Sequence, residues 1–309
     1  MKKISVVVPC YNEEENIKDS YNLLKSIMNN LSNYDYELIF ADNDSTDNSQ
    51  KLLREIASQD NKFKVILNNR NFGPECNAVN ALFAATGDAI MLVMADRQDP
   101  YELIPEFIKK WEENYKVVWG QKTSSKESWF MFKIRSLYYN IIKEFSAIRQ
   151  YKHVIGYGLY DKSVIQNIKN LKAPNPILRN VIPDLGYKPY LIPYVQKTRE
   201  KGKTSYNFYS YFDTAINSLI STSKVPMKIM IHAGLFFGFL SFLTGIVYLI
   251  YKIIFWNTFS AGIAPLVILV AFFASIQVFF LGIIGEYLLA VLDRVSFYKN
   301  VIEKERINF

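Results

Sequence analysis

Residues 233–251, AGLFFGFLSFLTGIVYLIY, hold no charged side chain, and neither do residues 261–285, AGIAPLVILVAFFASIQVFFLGIIG. At about 1.5 Å of rise per residue, each run is long enough to cross a hydrocarbon core of about 30 Å. Helices of a soluble core rarely run so far without a charge, so two membrane spans are expected, at about 231–252 and 262–285. Two spans return the chain to the side it left. Lys224 and Lys228 precede the first; Arg294, Lys299, Lys304 and Arg306 follow the second; the joining loop KIIFWNTFS carries only Lys252. By the positive-inside rule, the N-terminal part and both termini are expected in the cytoplasm. Trp256, Tyr248 and Tyr251 suit an interface belt. Neither span has an acid near its middle, and Glu286 lies at an end, which argues against a transporter.

The organisation expected is therefore a cytoplasmic domain over 1–225, a two-helix membrane region over 226–292 and a basic tail over 293–309. Two more segments carry apolar residues at helical spacing, about 129–150 and 206–223. Each reads either as a helix lying on the membrane surface or as an amphipathic helix packed on the core. The net charge is +7 over 309 residues. The two cysteines, Cys10 and Cys76, stand far apart and form no Cys-x-x-Cys pair. That excludes a disulfide framework or zinc knuckle and fits a reducing compartment. No nucleic-acid partner is expected.

Through about residue 121 the chain alternates strand and helix. ISVVV, YELIFA, FKVIL, DAIMLVM and KVVWG read as strands. Helices are expected over 13–31, from STDNSQKLLREIA, from Pro74 to Gly87, and over 101–114. This order implies an α/β domain, a mostly parallel sheet covered on both faces. Ligands in such folds bind outside the carboxyl ends of the strands. Polar loops follow the first four strands: PCYNEEEN, DNDSTD, NNRNFGPE and ADRQDP. With no Gly-x-Gly-x-x-Gly and no Walker loop, a diphosphate there is not cradled by backbone alone. In the fourth loop, Asp99-Pro100 reads as a helix cap with proline at the first helical position. A cap explains neither Asp96 nor Gln98, and oxygen ligands at that edge suit a hard divalent cation.

VVVPCYNEEENI, ADNDSTD, NRNFGPE and ADRQDPYELIP occur in the order and spacing of family 2 glycosyltransferases of GT-A fold. The chain most resembles the membrane-anchored branch with dolichyl-phosphate mannose synthase and bacterial polyprenyl-phosphate glycosyltransferases. The likeness continues through GYGLYDKSVI, LRNVIPDLGYK and TREKGKTSYNFY into the spans. It implies inverting transfer of a sugar from a UDP- or GDP-sugar to a polyprenyl phosphate on the cytoplasmic leaflet, assisted by Mg²⁺ or Mn²⁺, and a homo-oligomer. By the same likeness Pro9, Tyr11, Asn12 and Glu13 match the nucleotide-binding loop, with Asn71 in the third loop. Asp42 matches the acid that reads the base. Asp96 and Gln98 match the metal and diphosphate positions. Arg199 and Lys203 lie where the family keeps basic residues over the diphosphate or the lipid phosphate.

The chain departs from the family pattern at five places. Asn43 replaces a second acid, Asp44 a glycine and Met94 the first acid of Asp-x-Asp. Gly156 and Gly158 stand where this branch often carries Asp and Arg, which bears on the acceptor. A phosphate acceptor is ionised near neutral pH and needs no strong base; a hydroxyl acceptor needs one. Asp184 is the acid available for that role, and reads equally as a surface residue. His153 and His232 read as structural. Lys201 and its neighbours read either as phosphate ligands or as a basic run facing anionic lipid. The alternative function is transfer to a hydroxyl of a lipid-linked glycan or glycolipid in surface-polysaccharide assembly. A non-catalytic membrane scaffold rests only on Met94 and Asn43.

Overall fold

The computed structural model describes residues 1–124, 151–171, 177–197, 225–255, 263–295 and 301–309. The segments expected as interfacial helices, and Arg199, Lys201 and Lys203, lie outside the described residues.

Strands β1 (Lys2–Cys10), β2 (Tyr34–Asp42), β3 (Phe63–Asn68) and β4 (Ala89–Leu92) run parallel, with β1 between β2 and β4. Their near-continuous apolar sequences follow from burial on both faces. Ile4, Val6, Val8, Leu38, Phe40, Phe63, Val65 and Met91 meet one helical layer: α1 (Glu14–Asn30), α2 (Ser49–Ala57) and α4 (Ile104–Glu112). Val7, Ile39, Ala41, Ile66 and Leu92 meet the other: α3 (Pro74–Ala84), α5 (Lys162–Asn170) and α6 (Leu178–Asp184). Asp161 caps α5 by accepting the Ser163 N–H.

The described strands form one mixed sheet that is mostly parallel, as expected, with two strands running against the other six. Its order is β7-β5-β6-β4-β1-β2-β3-β8, with β5 (Val117–Ser124), β6 (Gly158–Asp161), β7 (Tyr190–Val195) and β8 (Glu303–Ile307). Strand β6 lies antiparallel between β4 and β5, and β5 pairs parallel with β7. Helix α3 ends at Ala84, short of Gly87. That glycine serves close approach instead: a Cβ there would lie 2.7 Å from the Ser5 backbone nitrogen. A single turn of 3₁₀-helix, Tyr101–Leu103, precedes α4.

The segment 293–309, expected as a basic tail, contributes β8, antiparallel to β3 with Ile66 opposite Arg306. Acids alternate with bases along it. Glu305 pairs with Arg54 at 2.8 Å, and Glu303 accepts from Asn80 at 2.7 Å. The Asn308 amide donates to the Ala57 and Phe63 carbonyls, both at 2.8 Å. Charge on an edge strand also discourages pairing with other chains.

A second compact unit holds α7 (Val225–Ile254) and α8 (Ile263–Val295). Apart from residue 262, which is not described, both expected spans fall within them. By length and composition both are able to cross a membrane, and none of Phe272–Leu289 is buried. Leu235, Phe236, Phe239, Leu281 and Leu288 are exposed, the reverse of soluble core helices.

The strongest buried electrostatic cluster sits at the opposite end of the sheet from the polar loops. Glu37 is 1 % exposed. Burial alone would raise its pKa. Hydrogen bonds from Lys3 (2.8 Å), Ser5, the Thr86 N–H (2.8 Å) and Lys64 (2.9 Å) outweigh burial and hold it at about 2, against an ordinary 4.5. A carboxylate with a depressed folded pKa stabilises above its unfolded value and loses that contribution as pH falls toward the folded one. Glu37→Gln is expected to destabilise the sheet unit by about 3 kcal/mol near neutral pH. The loss should shrink as pH falls from 4.5 toward 2, read as melting temperature against pH.

Candidate active site

The first loop is fastened to the second. Pro9 pairs with Ala41 in the β1–β2 ladder. Tyr11 is exposed. Asn12, at φ 53°, donates its N–H to Ser45 Oγ (2.8 Å), and its side-chain oxygen accepts from the Thr46 N–H (2.8 Å). The Glu13 N–H bonds Ser49 Oγ at 3.1 Å, and its carboxylate takes the Asn16 amide at 2.6 Å. Asp42 is fully buried, and both its oxygens accept from Ser45. Burial pushes its pKa up, and the Ser45 bonds oppose this. Asp42 thus shapes the 42–45 turn. Asp44 there has φ 63°, a conformation that glycine adopts freely and Asp tolerates.

Asn43 joins the second loop to the third. Its amide nitrogen donates to Asn71 Oδ1 (2.8 Å), while its oxygen accepts from Asn68 (3.1 Å) and the Phe72 N–H (3.0 Å). A carboxylate accepts only, so the amide makes a donor bond that the family's acid does not. Asn71 Oδ1 also takes the Gly73 N–H (2.9 Å), and Asn77 links Asn68 to the Ala41 carbonyl. Cys10 lies beneath this edge. It is 4 % exposed; burial raises its thiol pKa well above the ordinary value, and Asp42, Glu13 and Asp47 raise it further.

The fourth loop leaves β4 with Arg97 at φ 54°. Asp96 Oδ1 accepts the Gln98 N–H at 3.2 Å, and Gln98 Oε1 accepts from Gln196 at 2.9 Å. Asp99 is not the expected helix cap. It is 1 % exposed, its Oδ1 accepts from the Tyr194 hydroxyl at 2.5 Å, and its Oδ2 has no partner. Burial pushes its pKa up, against the Tyr194 bond. The 3₁₀ turn at Pro100–Leu103 begins without a side-chain cap. Among the described residues, no three His, Cys, Asp or Glu side chains converge as a metal cage. Asp96 and Gln98 nonetheless offer hard oxygen donors on one short loop. That set fits a cation such as Mg²⁺, which takes one or two carboxylates and completes its shell with substrate phosphate and water.

The structure gathers Pro9, Tyr11, Asn12, Glu13, Asp42, Asn71, Asp96 and Gln98 at the carboxyl edge of β1–β4. Asp184 ends α6, with its side chain exposed. Sequence reasoning missed Asn68 and Asn77, and also Tyr194 and Gln196, although their alternation in YVQK was a visible signal. Gly158 lies opposite both Leu92 and Trp119, and a Cβ there would fall 2.4 Å from the Val118 carbonyl oxygen. Gly156 has φ +100°. A side chain at 158 would meet the neighbouring strand, and one at 156 would be strained by its positive φ.

The family model for glycosyl transferase family 2 matches residues 5–167, from β1 through most of α5. The uncharacterized glycosyltransferase YkcC of Bacillus subtilis is 32% identical over 293 residues, 94% of this chain and 90% of that protein. The chain belongs to glycosyl transferase family 2, and it is a glycosyltransferase of GT-A fold. The prophage bactoprenol glucosyl transferase homolog of Escherichia coli K12 is 29% identical over 287 residues, 93% of each chain. A solved structure with the same fold is glucosyl-3-phosphoglycerate synthase from Mycobacterium tuberculosis, in complex with Mn²⁺, UDP and glucosyl-3-phosphoglycerate. Its TM-score is 0.50 at 17% identity, covering 71% of this chain and 79% of that one.

Gly158→Ala is expected to destabilise the protein by about 2–3 kcal/mol, because backbone rather than a movable side chain meets the new methyl. A melting-temperature drop of several degrees in the variant checks this.

Proposed function

We propose that this glycosyltransferase moves a sugar, with inversion, from a nucleotide diphosphate to a polyprenyl phosphate at the cytoplasmic face of the cell membrane. One observation carries the reading. The E. coli relative bears the name bactoprenol glucosyl transferase homolog, bactoprenol is a polyprenol, and the match leaves too few residues outside it to omit either α7 or α8. The exposed apolar surface of those helices supports a membrane location. Strands before α7 and after α8 share one sheet, which supports an even number of crossings and a domain on one side. The Lys and Arg flanking the helices support the cytoplasmic side.

In this reading the nucleoside meets Tyr11, the turn held by Asp42, and the loop held by Asn43 and Asn71. The diphosphate meets Asp96 and Gln98. A divalent cation bound there would neutralise charge developing on the leaving diphosphate. Arg199 and Lys203, which follow β7 in sequence, supply further positive charge to the leaving group or the lipid phosphate. An ionised phosphate attacks without a general base.

The test uses the full chain in detergent with undecaprenyl phosphate, labelled UDP- and GDP-sugars, and Mn²⁺, Mg²⁺ or chelator. Transfer of label to the lipid phosphate is expected to require metal, and Asp96→Ala should lower it at least about 100-fold. Donor hydrolysis without a lipid-phosphate product would replace this reading with a hydroxyl acceptor on a lipid-linked glycan.

A further inference from the structure

The 94–100 loop belongs to no strand or α-helix, yet four buried hydroxyls from different parts of the chain hold it. Tyr101 in the 3₁₀ turn donates to the Met94 carbonyl (2.6 Å), and Ser20 of α1 donates to the Ala95 carbonyl (2.9 Å). Tyr157, just before β6, donates to the Pro100 carbonyl (2.6 Å). Tyr194 of β7 donates to Asp99 Oδ1 (2.5 Å). None of the four donors is more than 5 % exposed. Immediately beyond β7 the chain continues along the loop. Gln196 donates to Gln98 Oε1, the Lys197 N–H donates to the Gln98 carbonyl (3.0 Å), and the Lys197 ammonium pairs with Glu102 (2.9 Å).

These contacts divide by what they hold. Tyr101, Ser20 and Tyr157 fix the path of the backbone. Tyr194 and Gln196 alone among these hydroxyl and amide donors grip side chains of the loop, at Asp99 and Gln98. They are two residues apart in extended chain and so share a face. An amide oxygen has two lone pairs, so the Gln196 bond to Gln98 Oε1 leaves one for a cation. Asp99 keeps a buried oxygen without a partner, at a cost of about 1–3 kcal/mol that an apolar residue would avoid. A pure packing role does not account for that cost; gripping Tyr194 at the base of the loop does.

We propose that Tyr194 and Gln196 are positioning residues that aim Asp96 and Gln98 at a metal-held diphosphate and bind their loop to the end of β7, from which the chain continues to Arg199 and Lys203. This rests on the reading of Asp96 and Gln98 as the cation-binding residues. Partners of metal ligands typically change metal affinity by about 10–100-fold when removed.

Calorimetric titration of UDP and GDP into the full-length protein in detergent, over a series of Mn²⁺ concentrations and with chelator, tests it. Gln196→Ala and Tyr194→Phe should each raise the Mn²⁺ concentration for half-maximal nucleotide binding about 10-fold or more. Affinity with chelator should hold in both, and the melting temperature should hold in Gln196→Ala. Asp99→Asn, which keeps an acceptor for Tyr194, should stay near wild type. Wild-type Mn²⁺ requirement in both variants would overturn the proposal, as would equal losses with and without metal. If wild type binds nucleotide with no response to Mn²⁺, the cation reading itself falls. Gln196 is only half-buried, so its variant carries the test even if Tyr194→Phe unfolds.

Discussion

Four parallel strands run through the sheet unit with apolar side chains on both faces, and that double burial governs where polar groups are able to stand. A charge within β1 or β2 would be taken out of water on either face, at a cost that only full pairing offsets. Glu37 shows what such pairing requires: two ammonium groups, two hydroxyls and a backbone N–H on one carboxylate. At the carboxyl ends of the strands the restriction lifts. Four loops there collect Asn, Asp, Glu, Gln and Ser; the first three bind one another, and the fourth is held by α1 and the end of β7. The candidate site thus lies where the two covering layers stop.

Within that edge, the departures from the family pattern each have a local physical account except Met94. Asn43 gives its neighbour Asn71 a donor that an acid lacks. Asp44 holds a left-handed turn. Gly158 lets β6 lie against Trp119 and the Val118 carbonyl. Met94 contributes a backbone carbonyl to Tyr101, which any residue supplies, and nothing in the structure explains the side chain.

The central strands, most helix positions and the polar edge were legible because they rest on local rules: double burial reads as an apolar run, and helical faces read as spacing. What stayed hidden was non-local. Asp99 before Pro100 satisfies every local criterion for a cap, yet its partner Tyr194 is remote in sequence and only folding brings the two together. Strand β6 is four residues, GLYD, too short to show a period, and its antiparallel setting depends on β4 and β5. Gly87 looked like a helix stop and is a contact with Ser5. Glu303 to Ile307 looked like a basic tail because Lys304 and Arg306 were counted as membrane-flanking charge, while Glu303 and Glu305 have their partners on α2 and α3. Of the candidate site, the loop residues were read from motifs, whereas Tyr194 and Gln196, which bond the fourth loop, were not.

Strand β8 also sets an order of events. Translation runs from β3 toward β8, and α7 and α8 are made in between. Until both helices have left the ribosome, β3 keeps an open edge, and the Asn69 N–H lacks the Ile302 carbonyl that later accepts it at 2.9 Å. Asn69 opens the loop that carries Asn71. The third loop therefore gains this backbone partner only after the two apolar helices have been made.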